Sequence, residues 1–306
     1  MSSSGKVLAA PFYGNWAGHP IPDLLEVNSI IRSHHPQRPI IYFAGDSSLD
    51  NKAWVPSAGP GGEPLPGEVP SIYYTFLSPP RPKPDVAFWL NHYLGEKATA
   101  LNAAVEASLL RDRDDNLLAH DEFIRDHIRA EDILVVSVGA NDIAMRPSTS
   151  TAMRMLQLAW ASSHRAVEQG TASALKHFNH MFGEQTKVYI ERLVEKQRPR
   201  AIIVCMIYFP LKAQAGAEGS WADTQLKALG YNAYPEQLQV AIKQIYEHAT
   251  SKITIEGTEV VPCALYDVLD GKNKADYTAR VEPSVEGGRK MAELLANELM
   301  MFLQAT

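Results

Sequence analysis

The run ILVVSV, Ile133–Val138, constrains this chain more than any other stretch of its length. Successive side chains of a strand point to opposite faces, so a run that is apolar on both must be covered on both. Four further runs read as strands: Ile40–Ala44, Ala98–Asn102, Ala201–Ile207 and Glu259–Cys263. Each is separated from the next by enough chain for a crossover helix, which parallel neighbours require. The alternation of strand-like and helix-like segments predicts an α/β fold, a parallel sheet with helices on both faces.

The helices are legible by spacing. Leu175, Phe178, Phe182, Tyr189 and Leu193 fall on one face, as do Leu238, Ile242, Ile245 and Ala249; the last helix carries Met291, Leu295, Leu299 and Phe302. Such amphipathic stripes pack on a sheet. Two segments interrupt the pattern. Residues 56–84 hold nine of the twenty prolines, which denies most of that segment helix or central strand and predicts an ordered loop. This loop either walls a site or runs over the surface. In the first case Tyr73 and Tyr74 offer an apolar surface to an acyl or aromatic substrate; in the second they pin the loop to the body. Residues 151–170 form a helical insertion with Met153, Leu156 and Trp160 on one face, which predicts core packing, with a lid over a pocket as the alternative. No internal repeat or low-complexity tail is present, and residues 1–306 are expected to form a single domain with elaborated loops.

A formal net charge of -6 and the lack of a long basic run remove the electrostatic footprint of nucleic-acid binding. The acidic total also opposes attachment to anionic membrane surfaces. No stretch approaches the length of a transmembrane helix, and the N-terminal residues make a poor secretory signal, so a soluble, cytoplasmic protein is expected. Cys205 and Cys263 lie in apolar runs rather than at metal-ligand spacings and read as buried free thiols. No metal or cofactor is expected.

In an open parallel sheet, ligands bind beyond the carboxyl ends of the strands. The first strand is followed by GDSSLDN, the second by Asn102 and AAVEAS, and the third by GAND, Gly139–Asp142. Serine, asparagine and flexible backbone thus gather at one edge. Gly, Asp and Ser also favour ordinary strand-to-helix turns, so the first triplet alone leaves a catalytic serine and a plain turn both open.

The order GDS, then a block with Asn and a small residue, then GxND, resembles the SGNH hydrolases, also called GDSL esterases and lipases. The resemblance extends to VEPSVEGGRKMAELL, which is similar to that family's final block, and so spans Ile40–Leu295. It implies a three-layer α/β/α sandwich with a five-stranded parallel sheet, SGNH/flavodoxin-like, and ester hydrolysis of a small-molecule ester or acyl ligand. By the same resemblance Ser47 is the nucleophile and its N–H one oxyanion donor, Asn141 supplies a side-chain donor, and Ala107 stands where the family keeps a glycine whose N–H also donates. Asp46, Gly139 and Asp142 are expected to support the loops. The departure lies at the C-terminus: where the family has histidine there is Glu282, and where it has aspartate there is Ala279. No histidine lies between His248 and the C-terminus. A histidine needs a carboxylate to hold its tautomer, whereas a glutamate does not. A buried glutamate with a raised pKa can act as a general base, so Glu282 is expected in that role. The alternatives are a catalytically silent binding protein and proton abstraction next to a carbonyl by Glu282.

Overall fold

The computed structural model describes residues 5–57, 62–213 and 219–303. Five strands form its central sheet: β1 (Ile40–Gly45), β2 (Thr99–Asn102), β3 (Ile133–Ser137), β4 (Ala201–Met206) and β5 (Glu259–Ala264). Their spatial order is β2-β1-β3-β4-β5 and every neighbouring pair is parallel. This is the flavodoxin-like order, in which the chain reverses direction across the sheet between β1 and β3. All residues of β1, β3 and β4 are buried, as runs apolar on both faces require.

The principal helices are α1 (Ile21–His34), α2 (Val86–Leu94), α3 (Ala119–His127), α4 (Thr149–Leu156), α5 (Thr186–Leu193), α6 (Pro235–His248) and α7 (Val285–Leu303). Helix α2 packs along α7 in one layer, while α1 and α5 both pack against α3 in the other. The stripe read from the last helix is buried at each of its four positions. Helix α2 begins where Asp85 accepts from the Phe88 N–H at 2.8 Å, and α7 begins where the Ser284 hydroxyl accepts from the Gly287 N–H at 3.1 Å. Both side chains satisfy donors that a first helical turn leaves without partners. Cys205 and Cys263 are buried, unbonded and directly opposite each other on β4 and β5.

Of the two interrupting segments, the first is irregular over most of its described residues, as expected, and the second departs from the expected packing. Within residues 56–84, a helical turn forms at Ser71–Phe76, because the span between Pro70 and Pro79 holds no proline and Pro70 suits a helix start. Tyr73 is buried beneath α2, where its hydroxyl accepts from the Asn91 side chain at 3.3 Å, and Tyr74 points to solvent. In the insertion, Met153, Leu156 and Trp160 are 65%, 52% and 60% exposed, while Thr151, Met155 and Leu158 face inward. Both sets are spaced as one helical face, so periodicity alone selects neither.

Candidate active site

The turn after β1 is forced by close packing. Gly45 has φ +146°, and a Cβ there would stand 1.9 Å from the Ser137 carbonyl oxygen of β3. Only glycine lets the two strands meet at this point. The chain then turns tightly: Asp46 N–H donates to the Ser137 carbonyl, and the Asp46 carbonyl accepts from Leu49 and Asp50. Asp46 Oδ1 accepts from both the backbone N–H (3.1 Å) and the hydroxyl (2.8 Å) of Ser48, which leaves Ser47 at the crest of the turn.

The acid and the amide that follow are structural. Asp50, wholly buried, accepts from the N–H of Gly18 (2.7 Å), the N–H of Glu106 (2.8 Å) and the Lys52 ammonium (2.6 Å). It thereby ties the β1 turn to the loop after β2. Asn51 accepts from the Val86 N–H at 3.0 Å and donates to the Pro283 carbonyl at 3.1 Å. Asn102 likewise joins its own loop to the β1 turn, accepting from Ala104 N–H at 3.0 Å and donating to the Leu49 carbonyl at 2.9 Å.

Gly139 opens the helical turn of the GAND block at φ +98°, with a Cβ position only 2.8 Å from the Phe182 ring. Asn141 projects from that turn and spends one amide hydrogen on the Ser108 carbonyl at 3.0 Å, keeping a second for another acceptor. Asp142 accepts from the Leu110 N–H at 2.6 Å and from the Arg111 N–H at 3.4 Å, joining the third strand's loop to the second's. Ala107 has φ +62°, the left-handed region that favours glycine. The backbone N–H groups of Ser47 and Ala107 have no acceptor among the described residues.

Glu282 lies on a short strand, Glu282–Pro283, paired antiparallel to Tyr277–Thr278. The tight turn between them needs left-handed backbone at Ala279 and Arg280. Arg280 is held there by the Leu211 carbonyl, Asn232 Oδ1 at 2.9 Å and Asp223 at 2.8 Å. On either side of Glu282, Tyr208 donates to the Val281 carbonyl at 2.6 Å and Asn51 to the Pro283 carbonyl.

Ser47, Asn141 and Glu282 line one cavity, which holds about 930 Å³ of empty space counting its mouth. Its remaining walls are almost entirely apolar. Met155 and Leu158 come from the helical insertion, Phe178 and Phe182 from the following helical segment, and Ile242 and Ile245 from α6. Tyr73, Tyr74, Ala107 and all ten histidines are absent from the lining. Of the two readings of residues 56–84, the described residues do not form a wall of this cavity: Tyr73 is bonded to α2 and Tyr74 is exposed. No described cluster of side chains has the composition of a metal site.

Burial pushes the Glu282 carboxyl up to about 7, with the charge of Asp46 adding to the rise and the donors of Ser47 and Trp221 opposing it. Glu282 Oε2 and Trp221 Nε1 are both buried without a hydrogen-bond partner. A second carboxyl was not singled out by the sequence. Glu106 is 4% exposed, its Oε2 is also unpartnered, and burial followed by the charges of Glu282 and Asp50 raises it to about 9. The only sequence signal was an acid inside the otherwise small and apolar NAAVEAS. Burial likewise raises Asp46 to about 6.

No family model matches the chain, and no curated protein matches it. Among solved structures it is similar to a carbohydrate acetylesterase from Sinorhizobium meliloti, at 11% identity over 86% of this chain and 99% of that one, with a TM-score of 0.45. An acetylxylan esterase from Geobacillus stearothermophilus overlaps at 15% identity over 85% and 94%, TM-score 0.43. An extracellular lipase from Streptomyces rimosus overlaps at 11% identity over 85% and 98%, TM-score 0.41. Likeness at this level assigns no activity.

Proposed function

We propose that this protein hydrolyses carboxylic esters with an apolar acyl group, using Ser47 as nucleophile and Glu282 as general base. The observation that carries the reading is the sharing of one apolar cavity by a serine at a strand-end turn, an asparagine amide and a buried carboxyl raised to about 7. A carboxyl so raised is matched to proton transfer near neutrality, which an ordinary glutamate is not.

Glu282 accepts the Ser47 hydroxyl proton as Oγ bonds to the ester carbonyl carbon. The carbonyl oxygen becomes an oxyanion, stabilised by the N–H of Ser47 and by the free amide hydrogen of Asn141, two residues that line the cavity. Collapse of the adduct breaks the bond to the alcohol oxygen, which takes the proton from Glu282. Water then attacks the acyl-serine, again deprotonated by Glu282, and returns Ser47. The apolar walls suit a medium-length aliphatic or an aromatic acyl chain.

The test is turnover of p-nitrophenyl esters from two to ten acyl carbons. Ser47→Ala should abolish it, Glu282→Gln should lower kcat by roughly a hundredfold or more, and a fluorophosphonate should label Ser47. Full activity in Glu282→Gln would remove the proposed base. Neither turnover nor labelling in the wild type would make the protein a ligand-binding module of the same shape.

A further inference from the structure

The helical insertion has two apolar faces. Met155 and Leu158 form the inner one, against the cavity. On the outer one, Met153, Leu156 and Trp160 stand more than half exposed, spaced three and four residues apart along α4 and the wide π-helical turn Gln157–Ala161. Trp160 is not loose: its indole N–H donates to the Ala228 carbonyl at 2.8 Å. The stripe is thus fixed on the outside of the cavity's wall. A monomeric soluble surface has little reason to aim a methionine, a leucine and a tryptophan outward along one helix.

The charge around the stripe reverses that of the chain. Between residues 146 and 176 there are four basic residues, Arg146, Arg154, Arg165 and Lys176, against the single acid Glu168, a local balance of +3 in a chain of net charge -6. Lys227 adds another exposed cation beside the residue that accepts the Trp160 bond. None of Arg154, Arg165, Lys176 and Lys227 makes an ion pair with a described residue. The nearby acids Asp223 and Glu236 are already engaged by Arg280 and Lys212. At physiological salt, charges farther than about 8 Å are largely screened, so a docking surface responds to this local balance rather than to the whole-chain total.

We propose that the outer face of residues 149–161 docks on an anionic lipid surface and so presents acyl esters held in that surface to the cavity behind it. An apolar stripe with Trp and Leu, flanked by unpaired basic residues, is the pattern of a helix that lies in the plane of a membrane interface. The surface itself stands independently of the ester-hydrolase reading; its purpose, delivery of an acyl substrate, rests on that reading.

The experiment is co-sedimentation of the full chain with vesicles of phosphatidylcholine alone or with thirty per cent phosphatidylglycerol, at low salt and at half-molar salt. The expected result is binding to the mixed vesicles that weakens at high salt, weaker binding to phosphatidylcholine, and a loss of at least tenfold in Met153→Asp/Leu156→Asp. Those two side chains are exposed and hold no bond of the fold, so the variant should keep the circular dichroism and soluble-ester turnover of the wild type while losing hydrolysis of esters embedded in vesicles. Equal binding to both vesicle types, or binding unchanged in the variant, would overturn the inference. So would a self-associated wild type that the double substitution converts to monomer in the absence of lipid, since a second copy would then be the occupant. Soluble-ester turnover without vesicle binding defeats only the surface, and vesicle binding without any ester turnover defeats only the hydrolase reading.

Discussion

The side-chain amide of Asn51 donates to the backbone carbonyl of Pro283 at 3.1 Å, across 232 residues of sequence. This bond fixes the strand that carries Glu282 to the turn that carries Ser47. The amide oxygen of Asn51 also accepts from the Val86 N–H, so one buried residue joins the serine turn, α2 and the C-terminal block. Asn51→Ala leaves a buried N–H and a buried carbonyl without partners. It should cost about 2 kcal/mol of stability, measured by urea unfolding, and should lower kcat on soluble esters more than it raises KM, because the proposed base moves while the proposed acyl cavity does not. An unchanged kcat in a folded variant would remove Asn51 from the positioning of Glu282.

Activity and stability should respond to pH in opposite directions. Glu282 is held at about 7 against an ordinary 4.5, and it must be ionised to take a proton. Ester turnover should therefore rise through pH 6 to 8. A carboxyl whose pKa is raised by folding contributes stability that is complete below its unfolded pKa and is lost as pH climbs through the folded one. From Asp46 (about 6), Glu282 (about 7), Asp85 (about 7) and Glu106 (about 9), the melting temperature should fall between pH 5 and pH 9. A kcat/KM profile flat from pH 5.5 to 8.5 would exclude Glu282 as base.

Glu106→Gln separates the two carboxyls. Burial keeps Glu106 neutral at pH 7, so a neutral amide of the same shape should leave the rise in turnover near pH 7 in place. It should also shrink the loss of melting temperature between pH 7 and pH 9. Abolition of turnover at pH 7 by this substitution would show that Glu106 itself moves a proton.

Ala107 adopts φ +62°, where a Cβ is disfavoured by roughly 1–2 kcal/mol. Ala107→Gly should relieve that strain, with part of the gain offset by the greater freedom of glycine in the unfolded chain. A net stabilisation of up to ~1 kcal/mol is expected, read as a higher midpoint in urea. Ala107 does not line the cavity and its backbone N–H is kept, so kcat should not fall.

Ala241 of α6 contributes a small side chain to the cavity wall. Ala241→Leu should fill part of that space, raise KM for an eight-carbon acyl ester by about tenfold, about 1.4 kcal/mol, and leave acetyl-ester turnover nearly unchanged. Equal effects on both chain lengths would place the acyl group elsewhere.

Five strands and the stripes of the long helices could be read from the chain because burial on a sheet imposes a local period, and a period survives in one dimension. Strand ends fell within a residue or two, as at Ile40–Gly45 and Ala201–Met206. The turn chemistry of GDS and GAND was legible for the same reason, since Gly45 and Gly139 answer to backbone constraints beside them. The helical insertion shows where such reasoning ends. Met153, Leu156 and Trp160 obey the same period as Thr151, Met155 and Leu158, and only the position of α4 over the cavity decides which set is inside. Tyr73 and Tyr74 followed the serine turn in sequence yet lie away from it, because a loop's path depends on what it packs against. The acidity of Glu282 and Glu106 was likewise a tertiary matter. A carboxyl's pKa depends on the water taken from it and the charges brought near it, and here both come from segments far apart in the chain: Asp46 for Glu282, and Glu282 with Asp50 for Glu106.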